Sequence, residues 1–387
     1  MGINRMVCTS TSYFGEFARQ KIPAEVQRRH YKKALLASDR DLIKYGITAK
    51  VEAVLRESSI PYSIFDDIKP NPTIENVQKG VERYKTEQCD FIIAVGGGSV
   101  IDTAKAVAVI STNPDKSDVL SLEGMDKSEN PAAPLIAVPT TAGTGSETTM
   151  DFVITNVQQK RKMACMNSTG VPVVAVIDTD IMASLPLKLT AATAMDALTH
   201  AVESYTAKGA FSFSEMLSLK AVNLISENFC SVLQNPGDYE IRKQLGIAQY
   251  LAGMSFTNVG LGIVHSMAHP LSAFYDIPHG VANALILPYV VEFNADACPE
   301  KMLHLAETFV PESDAAHDYK RAASYCAERI HEFTRMAGLP QTLCEIGVQE
   351  KDFDDLALSA FEDVSTADNP KTVDVPALKM LYRKMYR

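Results

Sequence analysis

Five short runs of β-branched and apolar residues, at Ala34 to Ser38, Tyr62 to Ile68, Phe91 to Val95, Leu135 to Val138 and Val171 to Ile177, alternate with helical stretches through the first half of the chain. The helical spacing covers roughly Leu42 to Glu57, Thr73 to Thr86 and Ser99 to Ile110. Such an alternation is satisfied by a mostly parallel sheet with helices packed on its faces. Asp151 to Thr155 and Met163 to Met166 flank a polar turn, Asn156 to Lys162, and read as an inserted hairpin. After Asp178, Asp180 and Pro186 the texture changes: Leu189 to Thr206, Ser214 to Glu227, Ile241 to Met254, Pro299 to Phe309 and Asp318 to Met336 carry helical spacing, with few strand candidates among them. With 387 residues, more than one hydrophobic core comfortably covers, the chain is expected to form an α/β domain over 1–185 and an all-α domain over 186–387.

Charge narrows the partners. A formal net charge of −10 repels phosphate backbones and anionic lipid surfaces, and no basic cluster offsets it locally. Neither nucleic acid nor a membrane is an expected partner. Arg5, Glu16, Arg19 and Lys21 interrupt any apolar run of signal-peptide length, and stretches such as Pro134 to Pro139 are too short to span a bilayer. Seven scattered cysteines with no CxxC pair read as reduced thiols, so a soluble cytoplasmic protein is expected.

Two glycine-rich elements follow apolar strands. In Val95-Gly96-Gly97-Gly98-Ser99 the glycines permit close backbone approach, and the helix opening at Ser99, with Asp102 in its first turn, offers amides to an anion. The segment is neither GxGxxG, because Ile101 stands at the last glycine position, nor a P-loop. The second element, Pro139-Thr140-Thr141-Ala142-Gly143-Thr144-Gly145-Ser146-Glu147, places hydroxyls at the carboxyl end of a parallel strand, where open α/β sheets bind ligands. It also fits a capping box in which Thr144 opens a helix and Glu147 closes it.

A metal constellation lies in the second half. Asp196 and His200 stand four apart in a helical stretch, so one face carries both. His265 and His269 repeat that spacing, and His279 follows between Pro278 and Gly280, which mark a turn or a helix end. Three imidazoles and one carboxylate fit iron, zinc, nickel or cobalt, and the lack of thiolate argues against a structural zinc site.

Gly96 to Asp102, Pro139 to Glu147, Asp196 to Glu203 and Gly262 to Gly280 together closely resemble the iron-containing, group III alcohol dehydrogenases, over nearly the whole chain. The resemblance implies a Rossmann-like dinucleotide-binding domain, a helical metal-binding domain in a dehydroquinate synthase-like architecture, and an active site in the cleft between them. It implies Asp196, His200, His265 and His279 as ligands of Fe2+, with Zn2+ able to take its place. His269 matches the nearby histidine that is not a ligand, beside the nicotinamide or in a proton relay. Asp39, Asn71, Gly97, Gly98, Ser99, Asp102, Thr140, Thr141, Thr144 and Lys162 match positions that contact NAD. Asp39 at the ribose would repel a 2′-phosphate, although Ser38-Asp39-Arg40-Asp41 also fits a simple helix cap.

The implied substrate is a short, hydroxylated alcohol or aldehyde of the lactaldehyde and 1,2-propanediol type, and a homo-oligomer is implied as well. Members with that substrate carry Asn where this chain has Asp151 and Cys where it has Ser365, both expected at the substrate pocket. Asp151 there would favour a hydroxyl or cationic group over a carboxylate; a solvated strand start is the alternative. Two readings from other classes use the same residues. One is a metal-dependent hydrolase with His269 as general base, and the other is a metal-binding protein without turnover.

Overall fold

The computed structural model describes residues 3–159, 161–312, 314 and 317–387. They form two compact units, one built from Met6–Leu185 with Gly237–Tyr250 and the other mainly from Pro186–Pro236 and Leu251–Arg387.

The first unit is built on a six-stranded sheet in the order β1-β9-β6-β4-β2-β3, parallel throughout. Its strands are β1 (Thr11–Gly15), β2 (Ala34–Ala37), β3 (Tyr62–Phe65), β4 (Phe91–Gly96), β6 (Leu135–Pro139) and β9 (Val174–Asp178). Every residue of β2, β4, β6 and β9 is buried, which is why these strands read as continuous apolar runs. Side chains alternate across the sheet. Leu35, Ile92, Ala94 and Leu135 pack with α4 (Ile74–Thr86) and α5 (Gly98–Thr112). Leu36, Ile93, Ile136 and Val176 face α1 (Ile22–Arg28) and α3 (Ile47–Glu57) instead.

Some expectations need adjusting. The helix expected from Leu42 to Glu57 is two, α2 (Arg40–Lys44) and α3, because Gly46 turns into the left-handed region at φ 74°. The run expected as a strand to Ile68 leaves the sheet after Phe65, and the run from Val171 joins it only at Val174. The hairpin forms from β7 (Asp151–Asn156) and β8 (Arg161–Met166), which pair antiparallel, with β5 (Gly124–Met125) alongside β8. Lys160, in its turn, lies outside the described residues. No helix opens at Thr144, and residues 141–150 stay irregular, since Glu147 is drawn to a partner in α9 (Tyr239–Val259). A short α6 (Thr179–Met182) follows β9.

The early part of α9 belongs to the first unit for steric and polar reasons. A Cβ on Gly246 would stand 2.7 Å from the Ile177 side chain, and Tyr250 bonds Ser12 at 2.6 Å.

The second unit contains α7 (Leu187–Thr206), α8 (Ser212–Gln234), the end of α9, α10 (Ile263–Tyr275), α11 (His279–Asn294), α12 (Pro299–Phe309), α13 (Tyr319–Met336), α14 (Phe353–Glu362) and α15 (Val375–Lys384). No single helix among the described residues is long and apolar enough to cross a membrane.

Candidate active site

In the first unit, the strand order reverses at β2. The chain passes from β2 to β3 on one side and returns to β4 on the other, which leaves a crevice at the carboxyl ends of β2 and β4. The register brings Ala37 opposite Ala94 and Gly96 opposite Pro139. Asp39, the Gly97-Gly98-Ser99 turn and Thr140-Thr141 therefore leave the sheet along one edge.

Gly97 is the N-cap of α5, whose N-terminal amides and dipole favour an anion. A Cβ on Gly98 would lie 2.9 Å from Thr144 Cγ2, and one on Gly97 would lie 3.3 Å from Thr141 Cγ2, so glycine at the two positions lets the loops close on each other without displacing those side chains. Thr141 Oγ1 is buried without a hydrogen-bond partner. A cradle of this shape with an unsatisfied hydroxyl fits a pyrophosphate. Asn71 adopts φ 55°, a conformation asparagine tolerates. Lys162 on β8 pairs with Thr155 across the hairpin, and the Thr155 N–H donates to Pro72 O at 2.7 Å, so the Asn71 turn lies along the other edge of β7.

Two of the expected cofactor residues serve the protein itself. Asp39 Oδ1 accepts from Leu42 N at 2.8 Å and caps α2, which is the alternative weighed for it. Asp102 has both oxygens engaged, with Oδ2 taking the Val153 N–H at 3.0 Å and Oδ1 the Ser146 hydroxyl at 3.2 Å. It ties α5 to the hairpin, and burial pushes its carboxyl up to about 6. Fully buried Lys105 donates to Thr149 Oγ1 and Asp151 O at 2.8 and 2.7 Å; burial pushes it down to about 8.

Behind the threonine-rich loop stands Gln249, fully buried in α9. Its Oε1 accepts from the amides of Gly143 and Gly145 at 2.9 and 3.1 Å, and its Nε2 donates to Glu147 Oε1 at 2.7 Å. Sequence reasoning did not single it out.

The second unit holds the metal constellation. Asp196 and His200 lie one turn apart on α7, both buried, while α10 carries His265 and His269. His279 is the first residue of α11. That helix starts hard against α7, because a Cβ on Gly280 would stand 2.3 Å from Ala192 O. The ligand atoms of Asp196, His265 and His279 all lie within 4.8 Å of one another. His200 is not in that set. Its ring stacks on Phe256 and on His265, centroids 4.5 Å apart in each case and planes inclined by 16° and 28°, which sets it beside the His265 ring.

Glu203, one turn beyond His200, supports the cluster. Its Oε1 accepts from Val264 N at 2.6 Å and its Oε2 meets His265 Nδ1 at 2.5 Å. Gly262 makes room for it, since a Cβ there would lie 2.8 Å from Glu203 Oε1. Burial pushes Glu203 up to about 8 and His265 down to about 4. With the proton of the short bond on Nδ1, the His265 Nε2 lone pair faces Asp196 and His279, an arrangement typical of metal-ligating histidines. Asn283 Nδ2 reaches all three ligand atoms, at 2.7 Å from Asp196 Oδ1, 3.3 Å from His265 Nε2 and 3.2 Å from His279 Nε2. Acceptors that converge on one electropositive point fit a cation.

His269 stacks on His279, ring centroids 5.3 Å apart, and its Nδ1 meets Asp363 Oδ2 at 2.7 Å. Burial pushes the Asp363 carboxyl up, but His269 and the Ser365 N–H outweigh it and hold it at about 2. Ser365 is buried in this second unit, whereas Asp151 opens β7 in the first. Glu203, Asn283 and Asp363 are the supporting residues that sequence reasoning missed. The first two could be found from their spacing, three after His200 and four after His279.

Two family models match the chain: "Iron-containing alcohol dehydrogenase" over residues 9–179 and "Fe-containing alcohol dehydrogenase family, C-terminal" over 190–386. The chain is 40% identical to lactaldehyde reductase of Escherichia coli (strain K12) over 379 residues, covering 98% of each protein. It is 36% identical to NAD-dependent methanol dehydrogenase of Bacillus methanolicus over 372 residues, 96% of this chain and 97% of that one. A crystal structure of 1,3-propanediol oxidoreductase superposes with a TM-score of 0.96 at 36% identity, covering 100% of both chains.

Proposed function

The chain belongs to the iron-containing alcohol dehydrogenase family, and from that premise we propose that it is an NAD-linked alcohol dehydrogenase and aldehyde reductase acting on short hydroxylated substrates. The observation that carries the reading is the convergence of Asp196, His265 and His279 with Glu203 behind His265. His200, whose ring lies against His265, completes the proposed ligand set. Ferrous iron held there, or zinc in its place, supplies Lewis acidity to the alcohol or carbonyl oxygen. NAD held in the cradle would supply the hydride acceptor for oxidation and, once reduced, the donor for reduction.

The chain's own residues do the rest. Gly97, Gly98 and Ser99 open α5 toward the pyrophosphate, and Thr140, Thr141 and Thr144 form the facing wall of the cradle. Asn71 and Lys162 hold the hairpin side of the nucleotide. Asp39 disfavours a 2′-phosphate, and Asp102 positions the cradle through Ser146 and Val153. Asp363 accepts from His269 Nδ1, which leaves His269 Nε2 to take the hydroxyl proton in oxidation and give it back in reduction. Asp151 is proposed to face the substrate, where its carboxylate accepts from a hydroxyl and repels an anion.

The NAD preference draws support from the methanol dehydrogenase relative, and the substrate class from the lactaldehyde reductase relative. Anaerobic purification with metal analysis, followed by NADH oxidation with lactaldehyde, propanal, 3-hydroxypropanal and succinic semialdehyde, tests the proposal. Chelation is expected to abolish turnover while leaving the fold largely intact. Full turnover by metal-stripped protein refutes the metal reading, and succinic semialdehyde as the best substrate refutes the pocket reading.

A further inference from the structure

Asn283 is fully buried one turn into α11, and its amide nitrogen lies between the three groups proposed as metal ligands. Each imidazole Nε2 owns a single lone pair, which either accepts an N–H or binds a cation. With the proton shared by Glu203 and His265 on Nδ1, the Nε2 lone pair of that ring stands 3.3 Å from Asn283 Nδ2. The other end of the amide gives the opposite impression. Asn283 Oδ1 is buried with no hydrogen-bond partner, so the side chain is held through its nitrogen alone. A buried acceptor left in that condition is costly and needs a reason.

We propose that Asn283 competes with the metal ion for Asp196, His265 and His279 and thereby sets how tightly the ion is held; the inference rests on the metal reading above. The two amide N–H groups are shared among the three acceptors as a neutral donor, and a cation would satisfy the same acceptors by charge. The two are alternatives. A cation that took these lone pairs would leave Nδ2 without its acceptors, so the amide has to give up its contacts before the ion is held. The bonds to Nδ2 must break first, so the competition weakens net metal affinity and speeds release. No ligand role for Asn283 is needed, because its effect passes through the three groups it touches.

The test compares the wild type with Asn283→Ala and Asn283→Leu. Zn2+ affinity is measured by competition with a chromophoric chelator, Fe2+ affinity likewise under anaerobic conditions, and melting temperature with and without metal. Removing the competitor is expected to tighten Zn2+ binding about tenfold, the worth of one charge-assisted hydrogen bond, and to slow metal loss to EDTA. The melting temperature of Asn283→Ala should fall in the chelated protein while the loaded protein changes little. A merely structural role would lower both forms equally. Binding by Asn283→Ala that is unchanged or weaker than wild type overturns the inference. If the alanine chain does not fold, Asn283→Leu decides, since it keeps the volume but neither donates nor adds charge: tighter Zn2+ binding supports the competition, and equal or weaker binding overturns it. A wild type that takes up neither metal overturns the metal reading itself and this inference with it.

Discussion

Glu147 offers a quantitative test of how the threonine-rich loop is held. Its side chain is fully buried; Oε1 accepts from Gln249 Nε2 at 2.7 Å, and Oε2 has no hydrogen-bond partner. Burial pushes the carboxyl from an ordinary 4.5 up to about 7, with the nearby charge of Lys105 pulling the other way. The folded protein therefore keeps its proton through a pH range in which the unfolded chain has already lost it. Stability is fully present below about pH 4.5, falls as pH rises from 4.5 through 7, and levels off above. At 1.36 kcal/mol per pH unit, a window of 2.5 units amounts to about 3 kcal/mol.

Glu147→Gln keeps the shape and the bond to Gln249 but cannot ionise. The variant should match wild type near pH 4.5 and exceed it by up to about 3 kcal/mol at pH 8. The assay is the urea midpoint of both proteins across pH 4.5 to 8, read as the difference at each pH. A difference that stays flat with pH, or a variant less stable at pH 8, would refute the reasoning.

Further predictions rest on close approaches and shared bonds. Gly280→Ala should cost about 3 kcal/mol, because its Cβ meets Ala192 O at 2.3 Å, and elemental analysis should show metal lost as α11 is pushed off α7. Gln249→Leu leaves Gly143 N, Gly145 N and Glu147 without their partner, so KM for NAD should rise at least about fivefold with a smaller change in kcat. An unchanged KM would mean that the loop holds its shape unaided. Asp39→Gly should improve the use of NADP relative to NAD, measured as the ratio of kcat/KM values; a constant ratio would leave Asp39 as the cap of α2 alone.

The parallel sheet was legible because strands buried on both faces leave near-continuous apolar runs, as in Phe91 to Val95. Strand β1 was not, since Thr-Ser-Tyr-Phe-Gly is half-exposed at the sheet edge and has no such run. Helices α10 and α11 escaped for the opposite reason. Helix α11 is apolar on nearly every side and shows little period to detect, and Pro270 and Pro288 stand inside the two helices, where a proline argues against one. The Thr144 to Glu147 capping pattern was misleading because a capping box is only local, and the long-range bond from Gln249 claims the carboxylate.

The candidate site divides along the same line between local and long-range information. Spacings of four bring Asp196 with His200 and His265 with His269 onto shared helical faces; the sequence states this directly for the first pair, and for the second it gives the spacing without the helix. What it cannot state is direction. Asp102 follows the glycine turn in the chain and so resembles a ligand contact, yet both its oxygens point into the protein. Asp363 lies 94 residues from His269, and nothing local announces their bond.

Burial then supplies the argument that spacing lacks. Asp196, Glu203, His265 and Asn283 are each at most 3% exposed, and buried carboxylates beside imidazoles are expensive unless a positive charge answers them. His265 is held neutral by its own burial and cannot provide that charge. A divalent cation can, and it would also draw Glu203 toward its carboxylate form, fixing the proton on His265 Nδ1 and the lone pair on Nε2. The demand for an ion is thus written less in the histidines than in the two buried acids placed behind and beside them.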